Sequence, residues 1–469
     1  MITAAALELP VRRWVPDRLA VAGLFSVLLP VTMLNGSYTG SMLEVSNTLG
    51  SNAEDITMGY YAASAGMAIA YPIVPKVLGA VSSKVLLLAD LTLQFLLSWF
   101  CARSQSADTL IVCSFFIGFL KGFLMLWCIR RIKTIFSPKD VRSEFYAYFY
   151  PLVFGCGQLS MIITAELAYH YDWKYMYYFM MILLLAALLM VAICFRHDRP
   201  LRRIPLRELH VREMFVASAG LLMLMYVLCY GKVLDWLSSP RICLYVVLGP
   251  ALLVFFLRTQ HRSRNPYVDL APLRQPKALV GYLYMMIVMF FSTSTTLLTN
   301  YMTSILQVDA THSYTLYVWL LPGYALGAFV CFWWFRWQRW RFRFLIAGGM
   351  ACFALFFGLL YFGISPGSTY QSLFFPVFVR GAGMLTLIIA FAQARWGQGQ
   401  WVFVLSAVVG LLVCYAFGTA WFLIVYTRTG AITLGVVLAK CVLPFLLPDA
   451  IKLALATLIR ARLYRRIPA

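Results

Sequence analysis

Residues 176–195 read MYYFMMILLLAALLMVAICF, twenty consecutive residues without a charge, and Arg196 follows directly. A helix needs about 20 apolar residues to cross the hydrocarbon core of a bilayer, so this stretch alone predicts a membrane-spanning helix. Comparable stretches recur along the chain, in which hydrophobic residues make up 62% and charged residues 12%. The stretches are continuous and do not alternate with polar residues, so they predict helices and not the strands of a barrel.

Lysine and arginine residues are concentrated in alternate loops between the apolar stretches. Basic loops stay on the cytoplasmic side of a membrane, so this alternation predicts the orientation of the chain. Basic residues before the first stretch and in the tail place both termini in the cytoplasm and require an even number of spans. The formal charge of +21 is therefore interpreted as a topology signal and not as a nucleic-acid-binding surface. Fourteen spans fit, at residues 19–34, 58–77, 85–101, 110–129, 146–168, 176–195, 214–231, 242–257, 278–303, 314–335, 344–362, 371–393, 402–426 and 431–463.

The order of spans and basic loops predicts an all-α polytopic membrane bundle, built as two halves around a central cavity. The longest basic connection contains Pro200 and Pro205 and separates the halves. Pro444 and Pro448 predict a broken or hinged last helix. The predicted divisions are an N-terminal six-helix half at 1–195, a basic cytoplasmic linker at 196–213, two extra helices at 214–257, the first four helices of a C-terminal half at 258–395 and the last helices at 396–469.

No motif of a catalytic or nucleotide-driven protein stands out. The sequence has no P-loop, no glycine-rich dinucleotide turn and no GxSxG motif. Its eleven cysteines are scattered, mostly inside apolar stretches, and form no CxxC or Cys/His pattern typical of a metal site. We therefore expect no enzyme, no cofactor and no metal. The expected partners are the lipid bilayer, a small-molecule substrate and protons.

Short patterns in the predicted spans or at their ends carry a resemblance to one family. They are Asn35-Gly36, Gly155-Cys156-Gly157, YDWK at 171–174, GKVLDW at 231–236, NPYVDL at 265–270 and RGAGM at 380–384. In this order, residues from about 19 to 395 resemble the fourteen-helix drug:proton antiporter branch of the major facilitator superfamily. The resemblance implies proton-coupled export of amphipathic small molecules or drugs across the inner (plasma) membrane by alternating access. It also implies a periplasmic adaptor or an outer-membrane channel as a further partner.

The chain departs from this family at two places that bear on proton coupling. The loop between the second and third spans carries Gly-x-x-x-Asp-Arg-x-Gly in the family, whereas residues 79–84 read GAVSSK here. The fourth span of the family offers a membrane-embedded arginine, and the nearest embedded cation here is Lys121. The resemblance therefore leaves open which residues of this chain would couple transport to protons.

The C-terminal tail resembles a different family. It contains GTAW at 418–421 and LPFLLPDAIK at 443–452. Residues from about 400 to 466 resemble the end of the biotin-specific membrane subunit of energy-coupling-factor transporters, where Asp449 and Lys452 would help to hold the vitamin. Pro448 stands where that family has glycine, and most of that family's helices are missing. We therefore interpret the chain as a chimera in which Asp449 caps the last helix and Lys452 pairs with it or snorkels. A biotin uptake or binding component and a non-functional fusion are the alternatives.

Acidic residues in or beside the predicted spans are candidates for proton coupling, because a charge inside a membrane is costly and usually functional. They are Asp90 in the third span, Glu166 near the outer end of the fifth span and Glu44 just past the first. A structural pairing with a neighbouring helix explains Asp90 equally well. Solvation at the interface would make Glu166, one helical turn from His170, a passive residue, and loop exposure would do the same for Glu44.

Polar and basic residues inside the spans are candidates for lining a substrate cavity. Lys121 lies at mid-span between Gly118 and Gly122, where we expect an inward-facing role or an acidic partner. Arg380 could bind an anionic group of a substrate or neutralise Asp90. We expect at least one acid–base pair among these buried charges, and hydrogen bonding between helices explains the neutral candidates equally well. The full set is Asn35, Lys121, Gln158, Asn300 and Arg380.

Overall fold

The computed structural model describes residues 9–40, 42–136, 142–198, 210–263, 265–270, 286, 298–299, 301–302, 306–308, 312–337, 342–363 and 369–393. Apart from turns and one isolated bridge, these residues are helical, which confirms the all-α membrane bundle. In the described residues, ten helices are long and apolar enough to cross a membrane, and a bent pair of helices would make an eleventh. The predicted spans 402–426 and 431–463, and nearly all of 278–303, lie outside the described residues.

The first part of the chain forms eight helices with short connections. Helix α3 begins where the backbone N–H of Asn52 donates to the Asp55 carboxylate, a local cap of the kind found at helix starts. The helices are α1 Asp17–Gly40, α2 Met42–Leu49, α3 Ala53–Ala70, α4 Val74–Ala80, α5 Ser83–Arg103, α6 Ala107–Phe136, α7 Arg142–His170 and α8 Tyr175–Cys194.

The second predicted span is bent where a straight helix over 58–77 was expected. Helices α3 and α4 meet at an angle of 60° across residues 71–73. Pro72 lies in this break and Pro75 in the first turn of α4. Proline lacks the backbone N–H that a continuous helix needs and clashes with the preceding turn, so two prolines three residues apart explain the bend.

The later part of the chain adds five described α-helices and three 3₁₀ turns. Two of the 3₁₀ segments, His312–Trp319 and Tyr370–Leu373, run directly into the helix that follows. The α-helices are α9 Val211–Tyr230, α10 Pro240–Arg262, α11 Leu320–Trp337, α12 Phe342–Gly363 and α13 Phe374–Gln393. The third 3₁₀ turn, Trp236–Ser238, joins α9 to α10.

Small residues allow α3 and α6 to approach closely. A Cβ atom on Gly118 would overlap the backbone of Ala63, and one on Gly66 would overlap the backbone of Phe115. Gly122 lies against the methyl group of Ala70. Lipid provides no hydrophobic driving force between helices, so close van der Waals contact of this kind holds membrane helices together.

Helix α9 packs against α3 and pairs with α10. Gly220 and Gly249 bring the two helices of the pair together. The Tyr230 hydroxyl group donates to the Asp55 carboxylate at the start of α3, and the Tyr267 hydroxyl group donates to the Ile69 carbonyl group near its end. The segment from α9 to Tyr267 therefore attaches to both ends of α3.

Helix α7 runs antiparallel to the 3₁₀ segment His312–Trp319 and α11, and together they form the boundary between the halves. The rings of Tyr148 and Phe332 are 5.5 Å apart between centroids, and those of Phe154 and Tyr324 are 6.0 Å apart. Further along α7, Glu166 accepts a hydrogen bond from Tyr314. These contacts place α7 side chains opposite the second half from Tyr148 to Glu166.

Candidate functional site

Arg380 is the most deeply buried arginine side chain at this boundary. It lies on α13 and is 2% exposed. Gly381, next to it, packs against Leu320 at the start of α11, and Gly383 packs against Cys352 of α12. These close contacts hold α11, α12 and α13 together around the guanidinium group, which lies 5.8 Å from the ring centroid of Phe356.

Two tyrosine side chains lie near this guanidinium group, and further polar groups lie next to those tyrosines. Arg380 interacts electrostatically with Tyr317 and with Tyr324 of α11. The hydroxyl groups of Tyr317 and Thr299 are 2.6 Å apart. Gln158 of α7 is within hydrogen-bonding reach of the Tyr324 hydroxyl group. We call these five residues, Arg380, Tyr317, Tyr324, Thr299 and Gln158, the Arg380 cluster.

The Arg380 cluster joins two of the residues that the sequence singled out and three that it did not. Gln158 and Arg380 come from different halves, and both lie beside Tyr324. The side-chain oxygen of Gln158 is buried and has no hydrogen-bond partner among the described residues. No spacing or motif distinguished Tyr317, Tyr324 and Thr299 from the other hydroxyl residues of an aromatic-rich chain. Only the packing of α13 against α11 and the 3₁₀ segment His312–Trp319 brings the two tyrosines to Arg380.

A second contact joins the halves at the end of α7. Glu166 is about half exposed and lies 2.8 Å from the His170 ring nitrogen Nε2, one turn along α7. Its other carboxylate oxygen accepts a hydrogen bond from the Tyr314 hydroxyl group, which belongs to the second half. Glu166 is therefore more than a solvated interfacial residue, since it links the two halves at the end away from the predicted basic loops.

Asp90 lies elsewhere, in the core of the first half. It is 3% exposed, and its carboxylate accepts a 2.6 Å hydrogen bond from the Gln94 side chain, one turn further along α5. Leu87 and Leu91 beside it belong to the core formed by α1, α5, α6 and α8. In the described part of the chain no ion pair joins Asp90 to Lys121 or Arg380, so the alternative in which Arg380 neutralises Asp90 finds no support there.

The other candidate residues have separate surroundings. Lys121 is 5% exposed on α6, beside the glycines that contact α3. Glu44 lies in the first turn of α2, so it is part of a helix and not of the loop that was expected, and it is partly buried. Helix α1 includes position 35, but the Asn35 side chain lies outside the described part of the structure, as do Asn300, Asp449 and Lys452.

The loop that lacks the family aspartate is held by an aspartate from another part of the chain. Asp198, just after α8, accepts 2.7 Å hydrogen bonds from the Ser82 hydroxyl group, the Ser83 hydroxyl group and the Ser83 backbone N–H. Lys84 donates to the carbonyl groups of Ala192 and Phe195 at the end of α8. The carboxylate of Asp198 thus caps the N-terminus of α5, and the ammonium group of Lys84 caps the C-terminus of α8. Both charges have the sign that the helix dipole favours at that end.

The electrostatics of Asp198 reflect these hydrogen bonds. Partial burial raises the pKa of its carboxyl group, but the hydrogen bonds from Ser83 and Ser82 favour the ionised form more strongly, so its pKa lies below the usual value. The sequence shows that the loop lacks the family aspartate. It does not show that Asp198 contacts this loop, because Asp198 lies more than one hundred positions away along the chain.

Comparison with known proteins gives two family matches. The family model described as Major Facilitator Superfamily matches residues 21–400, and the model of the BioY family matches residues 374–469. The second match confirms the resemblance of the tail, begins earlier than the expected position near residue 400, and overlaps the first over α13.

Curated relatives and solved structures agree with the first match. The chain is 23% identical over 186 residues to the multidrug export protein EmrB of Escherichia coli K12 and of Escherichia coli O157:H7. That alignment spans 40% of this chain and only 36% of the length of those relatives.

Solved structures of the peptide transporter POT are similar in fold. A mutant in complex with alafosfalin has a TM-score of 0.54 at 14% identity, covering 82% of this chain and 84% of that chain. The structure in complex with sulfate has a TM-score of 0.53 at 13% identity with the same coverage. Because the first family model covers most of the sequence and the described helices share this fold, the chain belongs to the Major Facilitator Superfamily.

Proposed function

We propose that this protein is a secondary transporter that exports amphipathic small molecules in exchange for protons, by alternating access in the inner membrane. The observation that carries the proposal is the Arg380 cluster, to which both halves contribute polar side chains in an apolar, aromatic surrounding. A site shared by two halves changes its geometry whenever the halves move, as alternating access requires. The similarity to the multidrug export protein EmrB supports the direction of transport.

Glu166 is the acidic residue best placed to couple this movement to protons. Its side chain is accessible, and it accepts a hydrogen bond from Tyr314 across the boundary between the halves. Protonation of the carboxylate would weaken that bond, because hydrogen bonds to charged groups are the stronger ones. Asp90, bonded within α5, would stabilise the first half, and the role of Glu44 stays a prediction.

Transport in reconstituted vesicles tests the proposal. Purified full-length protein in proteoliposomes should move an amphipathic dye in the direction opposite to an imposed proton gradient. Collapsing the gradient with a protonophore should stop accumulation. Accumulation that is unaffected by the protonophore would contradict proton coupling, and no dye movement in either direction would contradict export of amphiphiles.

The orientation can be tested independently of activity. Single-cysteine labelling should place Arg203 and Arg465 on the cytoplasmic side and Asp55 on the opposite side, since both termini are proposed to be cytoplasmic. Labelling of the Arg465 position from outside would mean an odd number of spans. A periplasmic adaptor or outer-membrane channel as partner stays a prediction from the resemblance.

The second candidate function is biotin binding, favoured by the BioY family match over residues 374–469. We rank it lower because the match covers only the last part of the chain. Isothermal titration of the purified chain with biotin distinguishes the two. Saturable binding that disappears in Asp449→Asn would reverse the ranking, whereas the absence of heat would support a tail that no longer binds the vitamin.

A further inference from the structure

The Arg380 cluster also indicates what kind of molecule it binds. We propose that it holds the oxyanion head group of an amphipathic organic anion, such as a carboxylate or sulfonate. This inference rests on the proposed transport function and narrows its substrate class. It differs from that function in being testable by binding alone.

The burial of Arg380 is the first argument. At 2% exposure the guanidinium group is removed from water, although arginine keeps its positive charge under all physiological conditions. Charges inside a membrane face the bundle interior or a cavity and often mark substrate pathways. Since Arg380 lies on α13, which together with α11 packs against α7 of the first half, a substrate that passes between the halves would reach it.

The neighbouring groups are the second argument. The phenol groups of Tyr317 and Tyr324, the amide of Gln158 and the hydroxyl group of Thr299 can all donate hydrogen bonds. A planar guanidinium fork flanked by neutral donors matches the two or three oxygens of a carboxylate or sulfonate.

Aromatic rings complete the site. Phe154 lies 6.0 Å from Tyr324 on the side of α7, and Phe356 lies 5.8 Å from the guanidinium group on the side of α12. Such rings suit the apolar body of an amphiphile, while a few placed polar groups orient its head group. A cationic amphiphile would instead bring its charge next to that of Arg380, which is unfavourable in a medium of low dielectric constant.

A set of probes with the same apolar body tests the head group. The purified full-length protein in neutral detergent is titrated calorimetrically with 2-naphthoate, 2-naphthalenesulfonate, 2-naphthamide and 2-naphthylmethylammonium. We expect saturable binding of the two anions and at least about tenfold weaker binding of the amide and the ammonium compound. Equal affinity for all four, preference for the ammonium compound, or no binding of either anion would overturn the proposal.

Variants from both halves localise the site. Arg380→Gln should weaken anion binding by about tenfold or more, and Gln158→Leu by about threefold. Arg131→Gln is the matched control, because Arg131 also lies over an aromatic ring, 4.1 Å from the centroid of Trp127, but that ring belongs to the core of the first half. If Arg380→Gln does not fold, the anion affinities of Gln158→Leu and Arg380→Lys still test whether the anion binds at the Arg380 cluster. Unchanged anion affinity in the folded Arg380 or Gln158 variants would overturn the assignment.

Two comparisons distinguish this proposal from the proposed export function and from binding of an anionic lipid. Anion binding by a protein that shows no proton-driven export would leave the anion site standing and contradict the export function. Export of 2-naphthylmethylammonium with no effect of Arg380→Gln would support export and contradict the anion site. An anionic lipid could present the same head-group chemistry, so titration is repeated with phosphatidylglycerol. Saturable lipid binding that excludes both naphthalene anions would assign the site to lipid and overturn the proposal.

Discussion

Asp90 and Arg380 are both almost completely buried charged residues in membrane helices, but their partners come from different distances. The hydrogen-bond partner of Asp90 is Gln94, one turn away on the same helix, beside the apolar core of the first half. The neighbours of Arg380 come from α11, α12 and the 3₁₀ segment His312–Trp319, and Gln158 of α7 and Thr299 lie next to its two tyrosines. A polar group whose hydrogen-bond partner lies on its own helix keeps that partner when the halves move. The surroundings of a group that is packed between several elements change with the movement.

The largest change in stability and transport is expected when the helices around Arg380 are forced apart. Gly323, next to Tyr324, lies so close to α13 that a Cβ atom would overlap the Phe378 carbonyl group. Gly323→Ala should therefore displace α11 from α13, lower the thermal stability and abolish transport. Thermal unfolding in detergent and vesicle transport are the measurements.

Gly348→Ala is the matched control for this change. Gly348 lies on α12, and a Cβ atom added there meets nothing within 4 Å. Alanine favours helix over glycine by about 1 kcal/mol, so this variant should be as stable as the parent or slightly more stable. Equal stability of the two variants would show that the close approach of α11 and α13 is not required.

The link at the end of α7 provides the next test. Glu166→Gln keeps the shape of the side chain but removes its charge, so the bonds to Tyr314 and His170 weaken. The group is half exposed, so we expect an effect of about 1 kcal/mol, or about fivefold in proton-driven export. Tyr314→Phe should have an effect of similar size and direction. Export that is unchanged in both variants would remove Glu166 from the coupling mechanism.

A smaller effect is expected at Asp198, which lies outside both buried sites and serves as a reference for local capping. Its pKa is lowered in the folded protein, so its contribution is complete above the pKa of the unfolded state and is lost as the pH falls through the folded-state pKa. Asp198→Asn should therefore cost about 1 kcal/mol or less near neutral pH and almost nothing in strong acid. Thermal melting of both proteins at several pH values checks this, and a difference that grows on acidification would contradict it.

The membrane bundle was predictable from the sequence, whereas the site was only partly so. Uninterrupted apolar stretches such as 176–195 lead to helices because lipid leaves the backbone no other partner. The sequence also identified Arg380 and Gln158, since polar groups inside apolar stretches stand out in isolation. It did not identify Tyr317 or Tyr324, because a tyrosine in an aromatic-rich chain is ordinary until packing sets it beside a charge.

Long-range replacements were hidden for the same reason. The sequence showed that residues 79–84 lack the aspartate of the family pattern, but only the fold brings Asp198 to the same loop. The bend at Pro72 was likewise visible as a residue type, yet the hydrophobicity of 58–77 favoured a continuous span. In both cases the local pattern predicted the helix, but neither the bend of α3 against α4 nor the contact of Asp198 with the loop could be predicted from it.

The smallest effect is expected at Asp90, and it bears most directly on the comparison with Arg380. Asp90→Asn retains an oxygen that can accept the hydrogen bond from Gln94, and it removes an ionisable group whose charged form is costly to bury. The variant should therefore retain export within about twofold, and its stability should change by about 1 kcal/mol at most. Asp90→Leu removes the acceptor as well and leaves the Gln94 amide buried without its partner, so it should be less stable than Asp90→Asn. If Asp90→Asn instead stopped proton-driven export while the protein stayed folded, Asp90 would be a coupling residue despite its local partner. A hydrogen-bond partner on the same helix, as for Asp90, or neighbours from several elements, as for Arg380, would then no longer separate structural from functional residues in this protein.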